Sequence, residues 1–199
     1  MPNNSTTVPM KYLKLPFTFD VERLQAEANT LKHEELRMSE SRYVVPETYY
    51  LAELIHPIPN EFHEDGHPKF GPNETLKKLP YIQEIEASFQ CIKESFRLTK
   101  LLPGAEIGPH RDFLMNYENG HLRVHIPVIT PQGSTMTFED ETFVMHEGEC
   151  WYADYGSLHQ TVNPYDIDRW HLVMDCRAND WWHDIMKKAG YEPTSSENQ

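Results

Sequence analysis

The sequence predicts a mainly β domain, a small barrel or jelly roll braced by helices. Two features carry that reading. Helical periodicity is confined to the first half of the chain and to one short stretch near the end. Between them lie many short, strand-like segments separated by turn residues at regular spacing. A length of 199 residues suits a single domain with its own core. Its expected parts are a helical and irregular support over 1–95, a jelly-roll core over 96–178, and a C-terminal helix and tail over 179–199.

Asp20 is placed to cap a helix over Val21 to His33, with Val21, Leu24, Ala28 and Leu31 forming its apolar stripe. The proline- and glycine-rich stretch from Ile55 to Pro72 reads as loop. A second helix is predicted from Glu74 to Cys91, with Leu76, Leu79, Ile82, Ile85, Phe89 and Ile92 on one side. Strands are then expected at Phe96–Leu102, Leu122–Ile129, Thr135–Phe138, Phe143–His146, Cys150–Tyr155, Gln160–Val162 and Trp170–Cys176, and a last helix at Asp180–Ala189. The polar ends, Asn3 to Thr7 and Pro193 to Gln199, read as frayed.

Composition excludes several classes. Hydrophobic residues make up 39% and charged residues 25%, which fits a globular chain rather than a disordered one. A formal charge of −13 would repel a phosphate backbone, so nucleic acid is not an expected partner. No apolar run is long enough to span a bilayer, and the first residues lack the apolar core of a secretory signal. Cytoplasmic location, without membrane partners, is the expectation. Cys91, Cys150 and Cys176 show no zinc-like spacing and read as buried thiols.

The chemistry concentrates in the β region. In His110-Arg111-Asp112 an extended backbone puts the imidazole and the carboxylate on one face and Arg111 on the other. His159 is the candidate third ligand. Two histidines and one carboxylate on one face of an iron ion leave open positions for a bidentate co-substrate and dioxygen. His110, Asp112 and His159 are therefore the candidate catalytic and metal-ligating residues. Arg169, ten residues after His159, opens an apolar strand. An arginine is rarely buried without a partner, and its planar guanidinium suits the distal carboxylate of a dicarboxylic acid. Arg123 and His125, two apart on another strand, could reach the same anion.

Several spaced motifs agree in order: Arg123-Val124-His125-Ile126-Pro127, Gly148-Glu149-Cys150-Trp151, His159-Gln160-Thr161-Val162-Asn163, and the strand from Arg169 to Asp175. Together with His110 they resemble the aspartyl/asparaginyl β-hydroxylase family of cupin-fold oxygenases. The resemblance implies a double-stranded β-helix, with Fe(II), 2-oxoglutarate and dioxygen as cofactor and co-substrates. It implies that Arg169 holds the 5-carboxylate of 2-oxoglutarate, and that Arg123 and His125 lie in the same co-substrate site. Asp112 matches the members that keep a carboxylate ligand, among them hydroxylases of free amino acids such as proline, and argues against a halogenase.

The expected reaction is hydroxylation of an unactivated C–H in a small molecule, a free L-amino acid first among them. A peptide or protein substrate, non-oxidative metal chemistry in a cupin, or ligand binding without turnover stay open as alternatives. A free amino acid needs a cation, from Arg123, His125 or His121, and an acidic partner, from Glu118 or Asp154. The loop from Phe113 to Glu118 is the candidate substrate lining. Asn163 and Asp154 are candidates to orient His159.

Overall fold

The computed structural model describes residues 10–191; the polar ends read as frayed lie outside them. Strand β1 (Tyr12–Thr18) leads into helix α1 (Val21–Ala28), followed by β2 (Arg37–Met38), β3 (Tyr49–Glu53), β4 (Ile55–Phe62), β5 (Pro68–Pro72) and helix α2 (Pro80–Ser88). The remaining strands are β6 (Lys93–Leu101), β7 (Glu106–His110), β8 (His121–Ile129), β9 (Thr135–Phe138), β10 (Glu141–Phe143), β11 (Glu149–Ala153), β12 (His159–Val162) and β13 (Arg169–Arg177). Helix α3 (Asp180–Lys188) closes the described chain.

A seven-stranded sheet, ordered β1-β11-β8-β13-β6-β3-β2, faces a four-stranded sheet ordered β10-β9-β12-β7. All their pairings are antiparallel. This is the jelly roll, or double-stranded β-helix, that the sequence predicts.

Strand β13 runs through the middle of the large sheet, and its two faces differ in kind. Trp170, Leu172, Met174 and Cys176 join Phe96, Leu98, Val124 and Ile126 in the core that also takes Leu24, Ile82, Ile85, Trp182 and Met186 from the helices. Residues on the other parity, Arg169, His171, Val173 and Asp175, turn to the interior of the roll. Alternation thus separates a greasy face for the helices from a polar face for chemistry.

Helix α1 takes its cap from Asp20, whose side chain accepts from the Arg23 N–H. It stops at Ala28, short of the predicted His33; Lys32 to Glu35 form a separate turn in which Glu35 accepts from the Lys32 N–H. The helix predicted from Glu74 to Cys91 is broken by Pro80, which places Leu79 outside helical backbone (φ −117°, ψ 74°). The apolar side nevertheless stays buried on both parts: Leu76, Leu79, Ile82, Ile85 and Phe89 are all in the core.

The stretch Ile55–Pro72, read as loop, is instead a two-stranded ribbon of β4 and β5. Each strand of such a ribbon has a free edge, where a proline forfeits no ladder hydrogen bond. The N-terminal third is also less helical than predicted, for β1, β2 and β3 complete the large sheet. Gly148 of the Gly-Glu-x-Trp motif has φ +74°, and a Cβ there would lie 2.6 Å from the Phe19 carbonyl oxygen. Only glycine lets the turn into β11 pass this close.

No side chain of its own caps α2; Glu27 of α1 does so, accepting from the Tyr81 N–H (2.7 Å) and the Ile82 N–H (3.0 Å). A carboxylate here satisfies two orphan donors and meets the positive end of the helix. Glu27→Ala should therefore cost about 1–2 kcal/mol, read as a lower urea midpoint with an unchanged slope; an unchanged midpoint would show that water replaces the cap at no cost.

Candidate metal centre

His110 ends β7 and His159 begins β12, and the two are direct cross-strand partners with ring centroids 4.1 Å apart. Asp112 follows just past the strand end, pinned by its N–H donating to the Tyr155 carbonyl at 2.8 Å. Each of the three offers a ligand atom, and these atoms lie within 4.8 Å of one another. Arg111 points away and pairs with Glu139 at 2.9 Å, as strand parity requires.

The proton positions suit a metal. His110 Nδ1 lies 2.8 Å from the Gly108 carbonyl, and His159 Nδ1 lies 3.0 Å from the Ser157 carbonyl. A carbonyl only accepts, so both rings carry a proton on Nδ1, which leaves Nε2 as the atom each can offer to a metal. Burial, helped by the neighbouring His110, lowers His159 to about 4 despite the Ser157 hydrogen bond, so it is neutral at physiological pH. Asp112 Oδ2 accepts from Arg123, while Oδ1 stands 3.7 Å from His110 Nε2. Two imidazole Nε2 atoms and one carboxylate oxygen fit a first-row divalent ion with positions left open.

A cavity of about 250 Å³ leads inward from this triad. Deep in it sits Arg169, 6% exposed. Its neighbours are Met136 Sδ at 3.3 Å and His171 Nδ1 at 3.4 Å, with no carboxylate bonded to it among the described residues. Burial alone pulls it down to about 10, the sign of a cation without a counter-ion.

Arg123, expected beside the same anion, meets two carboxylates instead. Its Nε and Nη2 bond Asp175 at 2.6 and 3.0 Å, and its Nη1 bonds Asp112. Asp175 also receives Arg97 at 3.0 Å. Burial works against these charges, but the pairing prevails: Asp175 is held far below the usual carboxylate range and Arg123 is raised. His125 lies on the cavity wall and is neutral, since burial and the nearby Arg169 push its pKa well down. Its Nδ1 contacts His171 Nδ1 at 3.0 Å. With Arg169 donating to that same His171 nitrogen, His125 is the donor, which leaves its buried Nε2 as an acceptor without a partner. The Tyr155 hydroxyl on the same wall also lacks a partner.

Several expectations about the surroundings change. The cavity wall does not include Phe113 to Glu118; Phe113 is 90% exposed. Ser41, Tyr49, Leu51 and Arg97 line it instead. His121 and Glu118, offered as substrate partners, are engaged elsewhere, with Glu94 and Tyr191. Asn163 does not touch His159: its Nδ2 donates to the carbonyls of Leu101, Leu102 and Ile167. Asp154 acts through a turn, accepting from Ser157 Oγ at 2.7 Å, and the Ser157 carbonyl in turn orients His159.

Two facing antiparallel sheets with a His-Asp-His cluster between them define a jelly-roll protein with a set of side chains that could hold a metal ion. Residues 68–179, more than half of the chain, match the family described as aspartyl/asparaginyl beta-hydroxylase, and the chain belongs to that family. It is 33% identical over 104 residues to the L-proline cis-4-hydroxylase of Rhizobium meliloti (strain 1021), covering 51% of this chain and 37% of that protein. It is 28% identical over 110 residues to an L-proline cis-3-hydroxylase of Streptomyces sp, covering 52% and 37%. The matched stretch thus spans little more than a third of either relative. Among solved structures, an oxidoreductase of the 2OG-Fe(II) oxygenase family from Burkholderia pseudomallei superposes with a TM-score of 0.55 at 15% identity, covering 85% of both chains. A prolyl-4-hydroxylase from Pseudomonas putida gives 0.51 at 12% identity, covering 85% of this chain and 93% of that one. These structures share the fold. Among the described residues, no helix is long and apolar enough to cross a membrane.

His125, His159 and His171 are all held below their ordinary values by burial. In the unfolded chain they titrate near 6.5, so between the two values the unfolded state binds the extra protons. The stability they contribute is complete above about pH 6.5 and falls as pH drops below it, by up to about 1.4 kcal/mol per pH unit for each ring. Asp175, with a lowered pKa, adds to the loss only below about pH 4. Urea midpoints of the metal-free protein should therefore fall between pH 7.5 and pH 5; a flat profile would show that the rings are not buried neutral.

Proposed function

We propose that this chain is an Fe(II)- and 2-oxoglutarate-dependent hydroxylase acting on a small substrate, a free L-amino acid such as proline or a close analogue. The observation that carries this reading is the buried, carboxylate-free Arg169 in the same cavity as the triad. A site with a metal-ligand set at one end and a lone cation at the other asks for a dicarboxylate that can also chelate. Iron with 2-oxoglutarate and dioxygen would supply the oxidising power for inserting oxygen into a C–H bond, with succinate and carbon dioxide as co-products.

In this reading His110, Asp112 and His159 hold the metal, and Arg169 binds the 5-carboxylate. The Tyr155 hydroxyl is a second donor on that wall. His125, being neutral, adds polarity but no charge to the co-substrate site. Arg123 serves that site indirectly, by fixing Asp112 so that one carboxylate oxygen faces the metal. Arg97, bonded through Nη1 to Ser95 and Asp175, also lines the cavity. A volume of about 250 Å³ leaves room for small molecules beside the triad. The relatives named as L-proline hydroxylases support the same substrate class. Three free cysteines and an acidic surface suit a cytoplasmic protein without nucleic-acid partners.

The test is succinate release with Fe(II), 2-oxoglutarate and each common L-amino acid, with a one-oxygen mass gain in the product. Turnover with proline or a similar amino acid is expected; turnover only with peptides, or none with any partner, would overturn the assignment. His159→Ala should abolish that turnover while the apoprotein stays folded, and near-normal activity would remove His159 from the ligand set.

Arg169→Met removes an unpaired buried charge, so the apoprotein should melt no lower than the wild type. The same change should weaken 2-oxoglutarate binding by about 3 kcal/mol or more, roughly a hundredfold, in a calorimetric titration against the metal-loaded protein. Unchanged affinity would free Arg169 of the role.

A further inference from the structure

The two metal-facing imidazoles are oriented differently. The torsion that turns a histidine ring about its Cβ–Cγ bond is soft, so neighbours must set the ring plane. One hydrogen bond at Nδ1 fixes a direction within the plane and still lets the ring tip. His159 gets its plane from the core: Phe138, fully buried, stacks on it with centroids 5.4 Å apart and planes 20° apart, and Tyr155 meets it edge-on at 4.8 Å.

His110 has no such core partner. Tyr43 lies against it instead, with centroids 4.5 Å apart and planes 18° apart. The same tyrosine is tied to His110 through the backbone. The Gly108 N–H donates to the Tyr43 carbonyl at 2.8 Å, and the Gly108 carbonyl accepts from His110 Nδ1 at 2.8 Å. Val44 bridges to Ile107 beside it, and Arg42 donates to the Tyr43 hydroxyl at 2.7 Å. Ser41 of the same segment lines the cavity. The segment precedes residues 68–179 that match the family, so this contact comes from outside the shared region.

We infer that Tyr43 is a positioning residue for the metal centre: its ring, stacked on His110 and strapped to Gly108, holds the His110 Nε2 on the metal side of the cavity. Phe138 does for His159 from the interior what Tyr43 does for His110 from a half-exposed strap. The inference rests on the reading of His110 as a metal ligand.

The test is Mn(II) affinity, followed by the magnetic resonance signal of the free ion, in the wild type and in Y43F, Y43L and Y43A, with the melting temperature of each metal-free protein alongside. Partners that orient metal ligands are worth about tenfold or more in metal affinity, and Y43A should lose about that much without a matching loss of melting temperature. Y43F keeps the flat ring and should bind like the wild type. Y43L keeps apolar bulk without the ring face and should bind more weakly than Y43F. Any of three results overturns the inference: Y43A binding like the wild type, Y43L matching Y43F, or Y43F as weak as Y43A, which would place the effect in the hydroxyl. A wild type that binds no Mn(II) would instead remove the metal reading itself.

Discussion

The ion chain inside the roll, from Arg97 to Asp175 to Arg123 to Asp112, is the constraint that the rest of the site depends on. Placing ions in a low-dielectric interior costs several kcal/mol each unless they are paired and hydrogen-bonded. Here the pairing is set by strand register. Asp175 lies directly opposite Arg123 on one side and Ser95 on the other, so β8, β13 and β6 bring the charges together without side-chain search. The last link, Arg123 to Asp112, fastens a residue beyond the end of β7 to the opposite sheet. The carboxylate of the triad is thereby positioned by the large sheet and the imidazoles by the small one, and the metal-ligand set exists only when both sheets are closed.

Arg169 is the exception to this bookkeeping. It sits on the same face of β13 as Asp175, as deeply buried as the paired ions, and has a thioether and a neutral imidazole for company. The neutral His125–His171 pair keeps that neighbourhood polar without supplying a counter-charge. Under the proposed function, stability given up at this position would be recovered when a carboxylate binds.

Much of this was legible in the sequence because alternation is a short-range signal. Strands β6, β8, β9 and β13 lie within a few residues of their predicted bounds, and two members of the triad follow from the two-residue spacing of His110 and Asp112, with His159 added from the later motif. What was missed has physical reasons. Strand β7, where no strand is predicted, contains Gly108-Pro109, and tolerates the proline because it is the edge of the small sheet. The segments 12–18 and 49–53 are too short and mixed to stand out, and become strands through pairing with distant partners. Arg97 sits on the inward parity of β6, a position that parity alone could have flagged. That its partner would be Asp175 is a matter of register, which no local pattern specifies. The neutrality of His125 likewise arises from neighbours far along the chain.

The strap from Ser41 to Leu51 has a bearing on how such a protein diversifies. It touches the cavity from a part of the chain that precedes the matched region, while the triad, the ion chain from Arg97 to Asp112 and the deep cation all lie within that region. Ser41, Tyr49 and Leu51 take no part in the ion chain, so replacements there can reshape the cavity wall and leave the paired charges in register. The freedom has one fixed point: at Tyr43 the wall rests on the His110 ring, so drift there would disturb the cluster of His110, Asp112 and His159 along with the wall.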